Sequence, residues 1–145
     1  MQIFVRNTPK YIANYYKELG FEVRENVGGR GVVATLHTGK TGRTIALRAD
    51  FDALAIQELN EIPYKSKNDG VMHACGHDGH TATILVLVKV LSRVKEQLRG
   101  TVVFIHQHAE EVAPGGAKAM IEDGCLDGVD EIYGAHLWYR YEYFG

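Results

Sequence analysis

Residues 71–105 read VMHACGHDGHTATILVLVKVLSRVKEQLRGTVVFI and carry the clearest indication of the fold class. Apolar residues at helical spacing predict one long helix from Asp78 to about Leu98. Asp78 suits the positive end of that helix dipole. Residues 101–105 form a continuous apolar run, which is typical of a strand covered on both faces. The stretch therefore predicts a long helix followed by a buried strand.

The residues before this stretch predict a helix and three strands. Thr8 and Pro9 are typical of a helix start, and Gly20 follows the helix end. Glycine-containing turns separate three strand candidates at residues 21–27, 32–36 and 44–49. We expect these strands to form a short antiparallel meander. The polar segment 53–69 contains Pro63 and shows no period, so we interpret it mainly as loop.

The residues after this stretch predict a short helix at 115–123, closed by Gly124, and a strand at 132–137. Strands and helices therefore alternate through the second half of the chain. Such alternation implies parallel crossovers and an α/β sandwich.

Composition excludes several classes of protein. The 145 residues have a net charge of -2 and no clustered basic face, so we expect no nucleic-acid partner. The longest apolar run, 81–88, is too short to span a bilayer, and we expect no membrane partner. The N-terminus shows no signal-peptide pattern, and two cysteines make no disulfide framework. A cytoplasmic location is the resulting expectation.

Side chains suited to metal binding follow the predicted strands. In open α/β sheets, sites form outside the carboxyl ends of the strands. Three groups lie there, and a fourth enters from the turn before the long helix. The residues concerned are Asp50 and Asp52, Glu110 and Glu111, His136, and the turn residues Cys75 and His77.

Spacing alone leaves the role of most of these residues open. Cys75 and His77 are two residues apart, so they either bind a metal or belong to an ordinary buried turn. Glu110 and Glu111 resemble a solvated loop pair, yet they directly follow a buried strand, where unpaired charge is costly. His136 alone is equally compatible with a structural histidine.

Other residues have simpler interpretations. Asp50 beside Arg48 is compatible with a plain salt bridge. His73 and His80 either orient metal ligands or occupy a turn and a helix surface. We interpret the remaining histidines and the second cysteine as structural; they are His37, His106, His108 and Cys125.

Four motifs together resemble a known family. They are LRADFDAL (47–54), MHACGHDGHT (72–81), QHAEE (107–111) with GGA (115–117), and GAHLW (134–138). They are similar to the amidohydrolase branch of the metal-dependent aminoacylase/carboxypeptidase superfamily, in that family's order and spacing. The branch includes N-acyl-amino-acid amidohydrolases, hippurate hydrolases and auxin-conjugate hydrolases. The resemblance implies a three-layer α/β sandwich with a mixed, partly parallel sheet, as in zinc peptidases.

The resemblance also implies roles for individual residues. It makes Glu110 the general acid/base and Asp50 a catalytic-site carboxylate that positions a metal ligand, with Asp52 a weaker candidate. It implies one or two divalent ions, zinc or manganese, and a thiolate favours zinc. The implied reaction is hydrolysis of the amide bond of N-acyl amino acids or small peptide-like substrates by a metal-activated water. The implied metal ligands are Cys75, His77, Glu111 and His136.

The chain departs from the family pattern in length and at one motif position. Family members begin with an additional helix, and they continue with a lid or dimerisation domain and a final histidine ligand. We therefore expect residues 1–145 to be the N-terminal portion of an incomplete catalytic domain, inactive alone and prone to self-associate through an uncovered sheet edge. His108 replaces the family's proline and is expected to place an extra imidazole near the site.

Two other classes of function compete with the hydrolase. A non-enzymatic metal-binding structural module would close four protein ligands around its ion. The second carboxylate of the Glu110–Glu111 pair argues against such a module, because a closed site does not use it. A thiol redox protein is disfavoured, because Cys75 and Cys125 form no Cys-x-x-Cys motif.

Overall fold

The computed structural model describes residues 7–138 as three helices packed on a five-stranded sheet. The mixed α/β class predicted from the sequence is confirmed. In chain order the elements are α1 (Thr8–Glu18), β1 (Glu22–Val27), β2 (Gly31–His37), β3 (Thr44–Asp50), α2 (His77–Arg93), a 3-10 turn (Lys95–Gln97), β4 (Thr101–Gln107), α3 (Gly116–Glu122) and β5 (Glu131–Gly134).

The strand order of the sheet is β1-β2-β4-β3-β5. Strands β1 and β2 are antiparallel, β2 is antiparallel to β4, and β3 is parallel to both β4 and β5. The predicted meander is therefore wrong at its third strand, because β4 lies between β2 and β3. The long connection through α2 carries the chain back to the end of the sheet where β3 begins. Strand β4 therefore runs in the same direction as β3 and pairs with it in parallel. Consecutive buried residues 31–34 of β2 fit an interior strand with two neighbours.

The two faces of the sheet are covered by different helices, which gives the predicted three layers. Helices α1 and α2 pack on one face, around Tyr16, Phe104 and Val88. Helix α3 packs on the other face, where Met120 contacts a smaller apolar cluster that includes Cys125. Burial of Cys125 confirms its structural interpretation.

Several element boundaries differ from the predicted ones. Helix α2 ends at Arg93, before the 3-10 turn, so it is shorter than predicted. Strand β4 continues to Gln107, whereas β5 ends at Gly134, so His136 lies two residues beyond its strand. No helix among residues 7–138 is both long and apolar enough to cross a membrane. Segment 53–69 holds no helix or strand, as predicted.

A buried polar pair lies between α1 and the sheet. The Tyr16 hydroxyl and His106 Nε2 are hydrogen-bonded at 2.9 Å, and both side chains are inaccessible to solvent. Burial lowers the pKa of His106 to about 3, so the ring is neutral at physiological pH. Its place in the core confirms the structural interpretation of His106.

The turn between β1 and β2 lies directly against α3 and requires glycine. Gly28 has a φ of 59°, in the left-handed region that favours glycine. A Cβ atom at this position would lie 2.4 Å from the backbone nitrogen of Met120. The close approach allows His108 Nε2 to lie 3.0 Å from the Gly28 carbonyl oxygen. His108 therefore bonds the β1–β2 turn, and its ring is not the extra site imidazole that we expected.

Candidate metal centre

The carboxyl ends of the three parallel strands meet at one edge of the sheet. Asp50 ends β3, and Asp52 follows it by two residues. Glu110 and Glu111 lie in the segment after β4, and His136 lies in the segment after β5. Helix α2 begins at His77 and packs against β3. Sequence-distant residues therefore converge as the strand-end argument predicts.

His77 is the buried centre of this convergence. Its Nδ1 atom lies 3.0 Å from the Asp52 carbonyl oxygen, which accepts the ring N–H, and 3.2 Å from Asp52 Oδ1. The other ring nitrogen, Nε2, is therefore unprotonated in the neutral ring. Among the described residues it has no hydrogen-bond partner, although it is buried. A histidine whose Nδ1–H is held in this way is typical of a metal ligand through Nε2.

Three carboxylates lie within 3.8 Å of the unpartnered nitrogen of His77, and two of them come from the segment after β4. Glu111 Oε1 lies 3.7 Å from Nε2, and Glu110 Oε2 lies 3.8 Å from it. The Glu110 side chain is 43% exposed, whereas that of Glu111 is 26% exposed. The more exposed carboxylate is thus open to solvent beside the buried ring.

Cys75 and His136 are two further members of the convergence and lie beside each other. The Cys75 Sγ atom lies 3.4 Å from His136 Nε2. Potential ligand atoms of Cys75, His77 and His136 all lie within 4.8 Å of one another, and so do those of His77, Glu110 and Glu111. The structure therefore brings together the four predicted ligands and the predicted general base, around a shared His77.

Cys75 lies in a negatively charged environment. Partial burial raises the pKa of its thiol, and the negative charges of Glu111 and Asp50 raise it further. A divalent cation at this position would offset that repulsion and stabilise the thiolate.

Asp50 is fully buried and is engaged by neighbouring side chains. His80 Nδ1 lies 2.7 Å from its Oδ1 atom, and Arg48 Nη1 lies 2.8 Å from its Oδ2 atom. Burial opposes ionisation of Asp50, but the His80 hydrogen bond and the Arg48 charge outweigh it and lower the pKa of this carboxyl. The shortest distance from Asp50 to His77 Nε2 is 3.6 Å. The salt bridge considered for Asp50 and Arg48 is thus present within a larger network.

Asp52 contacts two of the predicted ligands directly. Its carboxylate accepts the Glu111 backbone N–H at 3.0 Å, and its carbonyl oxygen accepts the His77 N–H. The resemblance ranked Asp52 below Asp50, and no local signal in the sequence separated the two residues. The geometry gives Asp52 the closer connection to the candidate ligands.

Sequence reasoning missed Gln107 and left His80 unresolved. Gln107 Oε1 accepts two hydrogen bonds from Arg48, at 3.0 and 2.8 Å. Its position at the end of a buried strand was the available signal. His80 is buried and bonded to Asp50, which excludes the helix-surface alternative.

The residues of this centre fit a divalent cation. A buried ring nitrogen without a partner costs free energy, and metal coordination would satisfy it. Thiolate, imidazole and carboxylate donors together suit zinc and neighbouring borderline ions. The potential donors are Cys75, His77, Glu110, Glu111 and His136.

The fold and the site define a three-layer α/β sandwich with a candidate metal centre at the ends of its parallel strands. The profile of Peptidase family M20/M25/M40 matches residues 46–141. The chain belongs to this family, and the resemblance drawn from the four motifs is confirmed.

Characterised relatives agree with this assignment. The N-acyl-L-amino acid amidohydrolase of Geobacillus stearothermophilus is 53% identical over 107 residues, which are 74% of this chain and 29% of the relative. The hippurate hydrolase of Campylobacter jejuni is 48% identical over 126 residues, which are 87% of this chain and 32% of the relative.

A solved structure matches the fold closely. The Bacillus subtilis YXEP protein, a dinuclear metal-binding peptidase of the M20 family, superposes with a TM-score of 0.86 and 42% identity. The match covers 94% of this chain and 38% of the YXEP chain. The chain thus spans about a third of the length of the relatives that it matches.

Proposed function

We propose that this protein contributes the metal centre of a hydrolase that cleaves the amide bond of N-acyl amino acids or small peptide-like substrates. The observation that supports the proposal best is the buried, unpartnered Nε2 atom of His77, with three carboxylates within 3.8 Å of it. The names of two relatives, an N-acyl-L-amino acid amidohydrolase and a hippurate hydrolase, support this substrate class.

We propose Cys75, His77, Glu111 and His136 as the protein ligands of one or two divalent ions. Potential ligand atoms form three groups that all share His77, the third being Asp50, His77 and His80, and groups that share a residue are compatible with adjacent ions such as those of the dinuclear YXEP protein. Zinc or manganese is the proposed metal, and the Cys75 thiolate favours zinc. A bound ion of this kind lowers the pKa of a water molecule and polarises the substrate carbonyl.

Glu110 is the proposed general acid/base. Its carboxylate lies near His77 Nε2 and is the more solvent-exposed of the two glutamates. It would accept a proton from the attacking water and then deliver that proton to the departing amine. Glu111 has a different task, because its backbone N–H is held by Asp52 while its side chain faces His77.

Asp50 and Asp52 are proposed to position the ligands. Asp52 orients His77 through its Nδ1 atom and Glu111 through its backbone. Asp50 acts through His80 and supplies a buried negative charge 3.6 Å from His77 Nε2. Neither carboxylate needs to touch substrate for this role.

We further propose that residues 1–145 are the N-terminal portion of the metal-binding catalytic domain and hydrolyse little substrate alone. The relatives are about three times as long, and their remaining length is available for further site residues. A cytoplasmic location is part of the proposal. Ile132 and Tyr133 are about half exposed on the edge strand β5, which supports self-association of this segment.

The test is hydrolysis of N-acetyl- and N-benzoyl-amino acids by the full gene product, before and after metal removal. Loss of hydrolysis on chelation and its recovery with zinc or manganese would support the proposal. Undiminished hydrolysis in fully metal-free protein would contradict it. The segment 1–145 alone, assayed beside it, is expected to be nearly inactive, and sedimentation analysis checks its self-association.

A further inference from the structure

We propose that His80 is a positioning residue that holds the His136 segment in place through the backbone of Leu137. This inference rests on the proposed function, because it assigns His136 to the metal centre. It concerns a residue that is neither a proposed ligand nor a proposed acid or base.

Both ring nitrogens of His80 are engaged, and their partners define the tautomer. His80 Nε2 lies 2.8 Å from the Leu137 backbone nitrogen, which can only donate a hydrogen bond. Nε2 is therefore the acceptor. The hydrogen is on Nδ1, which donates to Asp50 Oδ1 at 2.7 Å. The neutral ring thus connects the end of β3 with the residue that follows His136.

The Asp50 end of this connection is anchored in the sheet. Arg48 contacts Asp50 through Nη1 at 2.8 Å, and its Nε and Nη2 atoms donate to Gln107 Oε1. Arg48 and Gln107 belong to adjacent parallel strands, β3 and β4. The negative charge of Asp50 favours an Nδ1–H donor on His80 and leaves Nε2 free to accept.

The first turn of α2 is shaped to receive the segment that His80 holds. A Cβ atom at Gly76 would lie 2.8 Å from both His80 Nε2 and Leu137 Cβ. A Cβ atom at Gly79 would lie 2.6 Å from Leu137 Cδ1. Two glycines therefore leave room for Leu137 beside the His80 ring.

The hydrogen bond from Leu137 is needed because the strand no longer holds this segment. The ladder between β3 and β5 ends at Gly134, so residues 135–137 lack its backbone hydrogen bonds. The rings of His80 and His136 have centroids 4.6 Å apart, and His136 Nε2 lies 3.4 Å from Cys75. Loss of the His80 hydrogen bonds is therefore expected to displace His136 from Cys75.

The tautomer is tested directly by long-range ¹⁵N–¹H spectra of the full gene product labelled at histidine. At neutral pH we expect His80 to be protonated at Nδ1 and unprotonated at Nε2. A ring protonated at Nε2 would overturn the proposal. This measurement requires neither bound metal nor activity, so it is independent of the proposed function.

The consequence for metal binding is tested with His80→Phe and His80→Gln. Phe keeps the ring without donors or acceptors, and Gln keeps one amide donor and one acceptor. We expect His80→Phe to bind zinc about tenfold to hundredfold more weakly, and His80→Gln to recover part of that loss. The matched control is His37→Phe, at an exposed position of β2, which should bind zinc like the parent.

Thermal unfolding of each variant shows whether the protein is folded, and zinc affinity is compared only among folded proteins. A weaker affinity in a folded variant then reflects lost positioning and not lost stability. Parental zinc affinity in folded His80→Phe would overturn the proposal. If His80→Phe does not fold, parental affinity in His80→Gln together with an Nε2-protonated parent ring would overturn it. A parent that binds neither zinc nor manganese contradicts the proposed function, and the tautomer then decides the role of His80.

Discussion

Asp52 Oδ2 accepts a hydrogen bond from the backbone N–H of Glu111 at 3.0 Å. This bond ties the segment after β3 to the segment after β4. The carbonyl oxygen of the same aspartate accepts the Nδ1–H of His77, at the start of α2. One residue therefore orients candidate ligands from two other elements, and it does so without entering the ligand set.

Asp52→Asn is expected to weaken zinc binding about tenfold to hundredfold. An amide accepts through only one oxygen, so its NH₂ group would face either the Glu111 N–H or the His77 ring N–H. Zinc affinity measured by competition with a chelating dye checks this. Asp69→Asn, in an exposed loop, is the matched control. Equal zinc affinity in the two variants would show that Asp52 does not orient the ligands.

Glu110→Gln is expected to lower turnover of the full gene product by at least about a hundredfold, because general acid–base catalysis contributes that much or more. Zinc content should stay nearly unchanged, because the other proposed ligands remain. Steady-state kinetics and metal analysis are the two measurements, with Glu122→Gln on the exposed face of α3 as the control. Loss of zinc with unchanged residual activity would argue against the assignment.

The buried His106 predicts a pH-dependent stability. Its pKa is about 3 in the folded protein, against about 6.5 when unfolded. Between these values only the unfolded state takes up the proton, so the free energy of unfolding falls as the pH is lowered from about 6.5 towards 3. Above about pH 6.5 neither the folded nor the unfolded state takes up this proton, so the full stabilisation by the neutral His106 ring is present.

His106→Gln removes this titration and keeps a hydrogen-bonding side chain beside Tyr16. Its free energy of unfolding should depend less steeply on pH in that window, by about 1.4 kcal/mol per pH unit. Urea denaturation at a series of pH values measures both slopes. Identical slopes for the parent and the variant would mean that His106 takes up its proton as readily in the folded as in the unfolded protein, which would contradict the prediction.

Gly116→Ala is expected to destabilise the protein by about 1–3 kcal/mol, the usual cost of overpacking. A Cβ atom there would lie 2.0 Å from the carbonyl oxygen of His108, just before the Glu110–Glu111 pair. Backbone atoms cannot move aside as a flexible side chain can. Gly134→Ala is the control, because its nearest contact would be an ordinary 3.6 Å. Equal thermal midpoints for the two variants would contradict this packing.

Local sequence patterns predicted individual helices and strands, because these depend on the spacing of apolar residues along the chain. The apolar spacing from Ile84 to Leu91 identified α2, and the run at 101–105 identified β4. The wrong meander concerned strand pairing, which depends on where α2 returns the chain and not on the residues of β3. Strand order was therefore beyond reach of the periodicity of single segments.

The candidate site likewise has one part that the sequence predicted and one part that it did not. Residue type and position at strand ends singled out Glu111 and His136 before any geometry was known. The hydrogen bonds of Asp52 and His80 join residues 25 to 59 positions apart, and no local pattern reports such partners. The positions of the candidate ligands were thus predictable from sequence, whereas the hydrogen-bond partners of the residues proposed to orient them were not.

The most direct test of the metal centre is X-ray absorption spectroscopy of the zinc-loaded full gene product. We expect one sulfur scatterer at about 2.3 Å, from Cys75, with nitrogen and oxygen scatterers at about 2.0–2.2 Å. The sulfur contribution should disappear in Cys75→Ser and persist in Cys125→Ser. Bound zinc with no sulfur scatterer in the parent protein would contradict the assignment of Cys75 as a ligand.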